Sequence, residues 1–219
     1  MGRPRVTVYV TASIDGRIAS WRGDSRLSCP YDLRRLHAAR AASDAVMVGA
    51  NTVRIDDPLL TVRLVRGANP LRIIVDGALR SPLSSRVYSI EPWNTLVLAS
   101  RSAPRNRVEA LRNKGVEVVI LEGDGRIDMS EALGLLYDRG VRSLLVEGGG
   151  ELIWSLASQG LIDEMRVTWS PVILGGLKAT PMVGGLGFEK VSEALRLRLV
   201  SASICECGDE IHAVYIRRG

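Results

Sequence analysis

Val48-Gly-Ala-Asn-Thr-Val-Arg-Ile-Asp-Asp-Pro-Leu-Leu-Thr-Val-Arg63 joins the end of an apolar run to a polar turn carrying two adjacent carboxylates. The run from Asp44 to Val48 stops at Gly49, so Asn51, Thr52, Asp56 and Asp57 follow the carboxyl end of what reads as a buried strand. Open α/β sheets bind ligands at that end of their strands, so the segment is a candidate site in an α/β fold. A purely structural reading has Asn51 or Thr52 capping a helical turn and Asp56-Asp57-Pro58 ending it. Capping accounts for one or two of these residues. It leaves the paired aspartates, and Arg63 beyond the proline, unexplained.

Outward from this segment, short apolar runs alternate with helical spacing. Val6 to Ala12, Ala45 to Val48, Leu71 to Val75, Thr95 to Ala99, Val116 to Leu121 and Ser143 to Val146 predict buried strands. Asp32 to Ala42, Arg105 to Lys114, Met129 to Arg139 and Glu151 to Gln159 predict helices, with Ser28 and Asp128 as start signals and Gly115, Gly140 and Gly160 as stops. Repeated βα units imply a mostly parallel central sheet flanked by helices. Glu164 to Ser170, Arg196 to Ile204 and Glu210 to Arg217 are strand-like with little helix between them, which predicts antiparallel strands at one sheet edge.

At 219 residues and 46% hydrophobic, the chain supports one sizeable core, and a single domain over 1–219 is the expectation. The amino terminus has no apolar signal region, and no stretch approaches the roughly 18 to 20 apolar residues that span a bilayer. A soluble cytoplasmic protein without a membrane partner is expected. The net charge of +5 is dispersed without a long basic run or interleaved aromatics, which argues against nucleic acid and for small anionic ligands. Lys114, Lys178 and Lys190 are the only lysines. The other cations are arginines, whose planar fork suits phosphate and does not readily serve as a proton-transfer base. Cys29, Cys205 and Cys207, with only His37 and His212 to help, are too few for a zinc site and read as structural thiols, with no metal expected. Trp21, Trp93, Trp154 and Trp169 are scattered and read as packing residues.

A second motif, Leu144-Leu-Val-Glu147-Gly148-Gly149-Gly150-Glu151, places a glycine run between a strand and a helix. Such a run leaves backbone amides open at the positive end of the helix dipole, as a pyrophosphate requires. The third glycine of Gly-x-Gly-x-x-Gly is missing, so a tight turn is the competing reading. Gly175-Gly176 and Gly184-Gly185-Leu186-Gly187 fit no nucleotide pattern and read as loops. The first strand ends in Thr11-Ala12-Ser13-Ile14-Asp15-Gly16, an ordinary turn pair after an apolar run.

Four segments, Val8 to Ala19, Val48 to Arg63, Pro70 to Gly77 and Leu144 to Leu156, resemble in order and content those of the riboflavin-biosynthesis reductases, whose fold is similar to that of dihydrofolate reductase. The resemblance extends over almost the whole chain. It implies NADPH as cofactor, with NADH open, and a phosphorylated pyrimidine as substrate: reduction of the ribosyl group of 2,5-diamino-6-ribosylamino-4(3H)-pyrimidinone 5′-phosphate to a ribityl chain. By the same resemblance Thr11 or Ala12, Leu27, Thr52, Asp56, Gly77, Gly149, Gly150, Glu151, Leu152, Ile153, Trp154 and Ser155 lie against the cofactor. Ser25, Arg40, Leu60, Arg63 and Glu147 face the substrate, with Arg40 and Arg63 as a two-arginine phosphate clamp. Glu147 and Asp56 are the candidate catalytic carboxylates, and a homodimer is expected. The zinc deaminase fused to this reductase in many bacteria needs His-x-Glu and Pro-Cys-x-x-Cys, and neither occurs here. The chain therefore resembles the free-standing reductase. The alternatives are a reductase of the deaminated pyrimidine or of a pterin on the same fold, and a non-catalytic NADPH-binding regulator.

Overall fold

The computed structural model describes residues 2–218. Its strands are β1 (Arg5–Ser13), β2 (Arg17–Ala19), β3 (Ala45–Gly49), β4 (Leu71–Val75), β5 (Thr95–Ser100), β6 (Glu117–Leu121), β7 (Ser143–Val146), β8 (Glu164–Ser170), β9 (Thr180–Pro181), β10 (Leu197–Ile204) and β11 (Ile211–Arg217). The helices are α1 (Pro30–Ala41), α2 (Ala50–Asp56), α3 (Arg105–Asn113), α4 (Met129–Asp138) and α5 (Gly150–Ser158). Nine strands form one sheet in the order β10-β11-β8-β1-β7-β3-β4-β5-β6. From β8 to β6 every pairing is parallel.

Alternation along the strands divides the core between the two faces of the sheet, because successive side chains point in opposite directions. Ala45, Met47, Leu96 and Leu98 join the layer under α4 and α5, while Val46, Val48, Val97 and Ala99 join the layer with Val53 of α2 and Val108 and Leu111 of α3. The fold is thus helix, sheet, helix.

β8 departs from expectation. On one side it starts the antiparallel edge with β11, as expected, but on the other it pairs in parallel with β1, from Thr7 opposite Glu164 to Ser13 opposite Ser170. The reason is that α5 precedes it as a crossover, so the βα rhythm runs one strand further than its later lack of helices suggested. The antiparallel pairings of this sheet are β8–β11 and β11–β10. The small β2–β9 pair was too short to be read from periodicity.

Two buried charges organise the molecule. Asp32 on α1 accepts from the hydroxyls of Tyr9, Thr11 and Thr168 at 2.6–2.7 Å, tying α1 to β1 and β8. Burial opposes its ionisation, yet these hydrogen bonds hold its pKa below the usual carboxylate range. Arg72 on β4 is fully buried and donates to the carbonyls of Leu59, Ile90, Glu91 and Asn94. This arginine serves the scaffold and not an anionic ligand.

Candidate active site

The carboxyl ends of β3, β4, β6 and β7 open onto a common cleft of about 1210 Å³. That exceeds the roughly 300–1,000 Å³ of ordinary small-molecule pockets and suits a dinucleotide. Gly149, Glu151, Leu152, Trp154 and Ser155 supply one side, and Gly77 and the Glu122–Asp128 loop another. Gly149 is the N-cap of α5 and no side chain caps it, so the first-turn amides are left to a bound anion. A Cβ on Gly77 would stand 2.3 Å from the Gly125 carbonyl oxygen, so glycine is required where the β4 and β6 loops back onto each other. The neighbouring Asp76 is a turn cap, accepting from the amides of Arg80 and Ser81 at 2.8 Å.

Other expected cofactor residues lie off this lining. Ile153 is fully buried in the core, and Gly150 faces the other way, where a Cβ would meet the Pro181 carbonyl oxygen at 2.6 Å. Ala12 is fully buried, Thr11 is engaged with Asp32 and Ser28, and Leu27 is half-buried on the segment before α1. Conversely, Gly185 and Leu186 border the cleft although they read as a plain loop; the Gly185 amide donates to Glu151 Oε1 at 3.0 Å. Trp154 packs edge-on against Phe188, whereas Trp21 and Trp93 are mostly exposed and not the packing residues expected. The Glu122–Asp128 loop has no apolar period, and its Gly-Asp-Gly sequence signals a turn without signalling a site.

α2 leads out of the cleft towards a second group of residues. Ala50 and Asn51 line the cleft, Thr52 Oγ1 is 3.4 Å from where a Gly149 Cβ would stand, and Asp56 ends the helix. The adjacent aspartates divide their work. Asp57 is the left-handed C-cap and accepts from the Arg86 amide at 2.7 Å and Nε at 3.1 Å, a structural task. Among the described residues Asp56 accepts only the Ser25 hydroxyl, at 2.7 Å. Partial desolvation raises the Asp56 pKa above the usual range and the Ser25 bond opposes it, although the residue keeps an exposed surface.

Beyond β7, Glu147 accepts from Arg40 Nε and Nη2 at 2.6 Å each, a bidentate pair with both side chains more than 90% buried. Arg40 Nη1 donates to the Thr61 carbonyl at 3.0 Å. Burial alone would lower the Arg40 pKa, but the Glu147 carboxylate raises it. With those donors engaged, Arg40 and Arg63 do not form the open clamp expected of them. Arg63 is the exposed cation of the two, bonded to Thr61 Oγ1 at 2.6 Å. Its amide donates to His37 Nδ1 at 2.9 Å, and burial together with Arg40 and Arg63 lowers the His37 pKa to about 4. Leu60, between them, is buried with φ +55° and packs in the core.

The model of the RibD C-terminal domain family matches residues 4–213 of the chain. The 2,5-diamino-6-ribosylamino-4(3H)-pyrimidinone 5′-phosphate reductase of Aquifex aeolicus is 38% identical over 206 residues, which is 92% of each protein. The solved structure of Acinetobacter baumannii RibD superposes on the whole chain with a TM-score of 0.84 at 27% identity, the chain covering 59% of that protein. Dihydrofolate reductase of Enterococcus faecalis complexed with NADP(H) superposes on 98% of the chain and is covered to 97%, with a TM-score of 0.55 at 14% identity, a likeness of fold.

Proposed function

The chain belongs to the RibD C-terminal domain family, and from that premise we propose that it is the free-standing reductase of riboflavin biosynthesis, reducing 2,5-diamino-6-ribosylamino-4(3H)-pyrimidinone 5′-phosphate with NADPH. The observation that carries this reading is the dinucleotide-sized cleft at the carboxyl ends of β3, β4, β6 and β7, from whose lining α2 leads to Asp56 and next to which β7 ends in the Glu147–Arg40 pair.

NADPH, when bound, supplies the hydride that reduces C1′ of the ring-opened sugar. The chain aligns the reactants and manages charge. The α5 amino terminus receives the pyrophosphate, with Gly149 allowing close approach. Asp56, whose pKa is raised by partial desolvation, gives a proton to the ring oxygen as the furanose opens, takes up the proton the nitrogen loses as the imine forms, returns it to that nitrogen as the amine forms, and is reprotonated from solvent. Glu147, locked by Arg40, orients the substrate. Arg63 binds its phosphate.

Loss of NADPH absorbance should occur with the diamino ribosylaminopyrimidinone phosphate and not with its deaminated counterpart or dihydrofolate. Oxidation only with another of these compounds overturns the substrate; binding without turnover favours a regulator. Single-turnover hydride transfer should fall about 10²–10⁴-fold in Asp56→Asn, and Glu147→Gln should lose transfer while retaining NADPH binding. Unchanged transfer in either variant removes that carboxylate from the mechanism. We further place the enzyme as a homodimer in the cytoplasm, to be checked by sedimentation and fractionation.

A further inference from the structure

The fold gathers all three cysteines with a carboxylate at a place remote in sequence and outside the cleft. Cys29 is the N-cap of α1, Cys205 and Cys207 lie in the turn between β10 and β11, and Glu210 closes that turn. The three sulfurs and one Glu210 oxygen all fall within 4.8 Å of one another, and Cys29 and Cys205 are 3.5 Å apart. Around zinc at about 2.3 Å from each sulfur, tetrahedral geometry puts the sulfurs about 3.8 Å apart. The cluster is therefore close to a coordination sphere.

Glu210 supplies the independent sign. It is 3% exposed, its Oε1 accepts the Cys29 amide at 2.8 Å, and its Oε2 is buried without a hydrogen-bond partner among the described residues. A buried carboxylate oxygen left unpaired is costly unless a cation meets it. The amides of Asp209 and Glu210 face the Cys207 sulfur, and Arg35 Nη2 lies 3.0 Å from the Cys205 sulfur. We propose that Cys29, Cys205, Cys207 and Glu210 form a structural site for a tetrahedral thiophilic divalent cation, zinc by its chemistry.

Binding forms three S–Zn bonds and one O–Zn bond, and the three thiols release their protons to solvent. All four ligand positions come from the protein, which is the pattern of a structural and not a catalytic zinc. The bond would clip the β10–β11 hairpin to α1. That hairpin is a sheet edge with Leu199, Val200 and Ile204 more than half exposed, so it has little apolar burial of its own to hold it. Sequence spacing alone does not bring Cys29 to Cys205 and Cys207, and the fourth ligand is a glutamate from the β10–β11 turn.

Elemental analysis of protein produced with supplemental zinc, under reducing conditions and without chelator, should find about one zinc per chain, falling sharply in Cys207→Ser and Glu210→Gln. Cobalt added to the wild-type apoprotein should give thiolate-to-cobalt charge transfer and the strong d–d bands of tetrahedral geometry. Chelation should lower the melting temperature by roughly 4 °C or more in a chain of this size. Absence of zinc together with absence of the thiolate–cobalt bands overturns the site, as does a Cys29–Cys205 disulfide found by mass spectrometry in that reduced preparation. The cobalt spectrum needs no variant to fold and no reductase substrate, so it stands apart from the functional reading.

Discussion

At the scale of single residues, the burial of Arg40 and Glu147 decides what their substitution does. Removing one partner of a buried ion pair leaves the other charge uncompensated, at a cost of about 3–5 kcal/mol. Glu147→Ala should therefore lower unfolding stability by about that amount in urea, over and above any effect on catalysis. Arg80 and Arg126 are the arginines lining the cleft, and neither is ion-paired among the described residues. Replacing them together with alanine should raise the KM for NADPH at least tenfold, with much less change for NADH, if they read the 2′-phosphate. Equal changes for both cofactors would exclude that role. His37 carries a pH signature. Its folded pKa of about 4 lies below the unfolded value near 6.5, so the unfolded chain binds the proton more readily. Stability should be full above about pH 6.5 and decline as pH falls towards 4. Urea midpoints between pH 7 and 4.5 should show a shallower decline in His37→Gln than in the wild type.

At the scale of elements, the cleft depends on how closely two loops approach. Gly77→Ala places a methyl against the Gly125 carbonyl, and such overpacking costs typically about 1–3 kcal/mol. The variant should bind NADPH more weakly and unfold at lower urea, while Gly134→Ala, on α4 with open space around it, should do neither. The elements themselves were legible: β4 and β7 run from Leu71 to Val75 and from Ser143 to Val146, as their apolar runs indicate, and Asp128 caps α4 through the amides of Ser130 and Glu131. α1 was legible only in outline. It buries Asp32, His37 and Arg40, so its inner face is polar, and Cys29 takes the cap assigned to Ser28. The site residues divide similarly. The glycine turn after β7 reads from its local sequence, whereas the separation of Asp56 from Asp57, and the capture of Arg40 by Glu147 over 107 positions, arise from tertiary contacts that no local pattern encodes.

For the whole molecule, strand order sets the folding problem. β7 lies between β1 and β3, so the two halves of the sheet meet only through residues 143–146. A chain ending at residue 142 retains β3 to β6 but leaves β1 without a neighbour. It should show no cooperative urea transition with the full chain's amplitude; an unchanged transition would show that the β3–β6 half folds alone. Contacts this distant also make folding slow relative to helical proteins of the same size. Of the 12 residues of α1, about 18 Å in length, the first turn is pinned through Asp32 to β1 and β8 and the last through Arg40 to the end of β7. Mechanically the helix is a beam clamped at both ends, which resists sliding along its own axis, so the bearing of Glu147 is surveyed from the adjacent strands β1 and β8 as well as from the glycine loop that carries it.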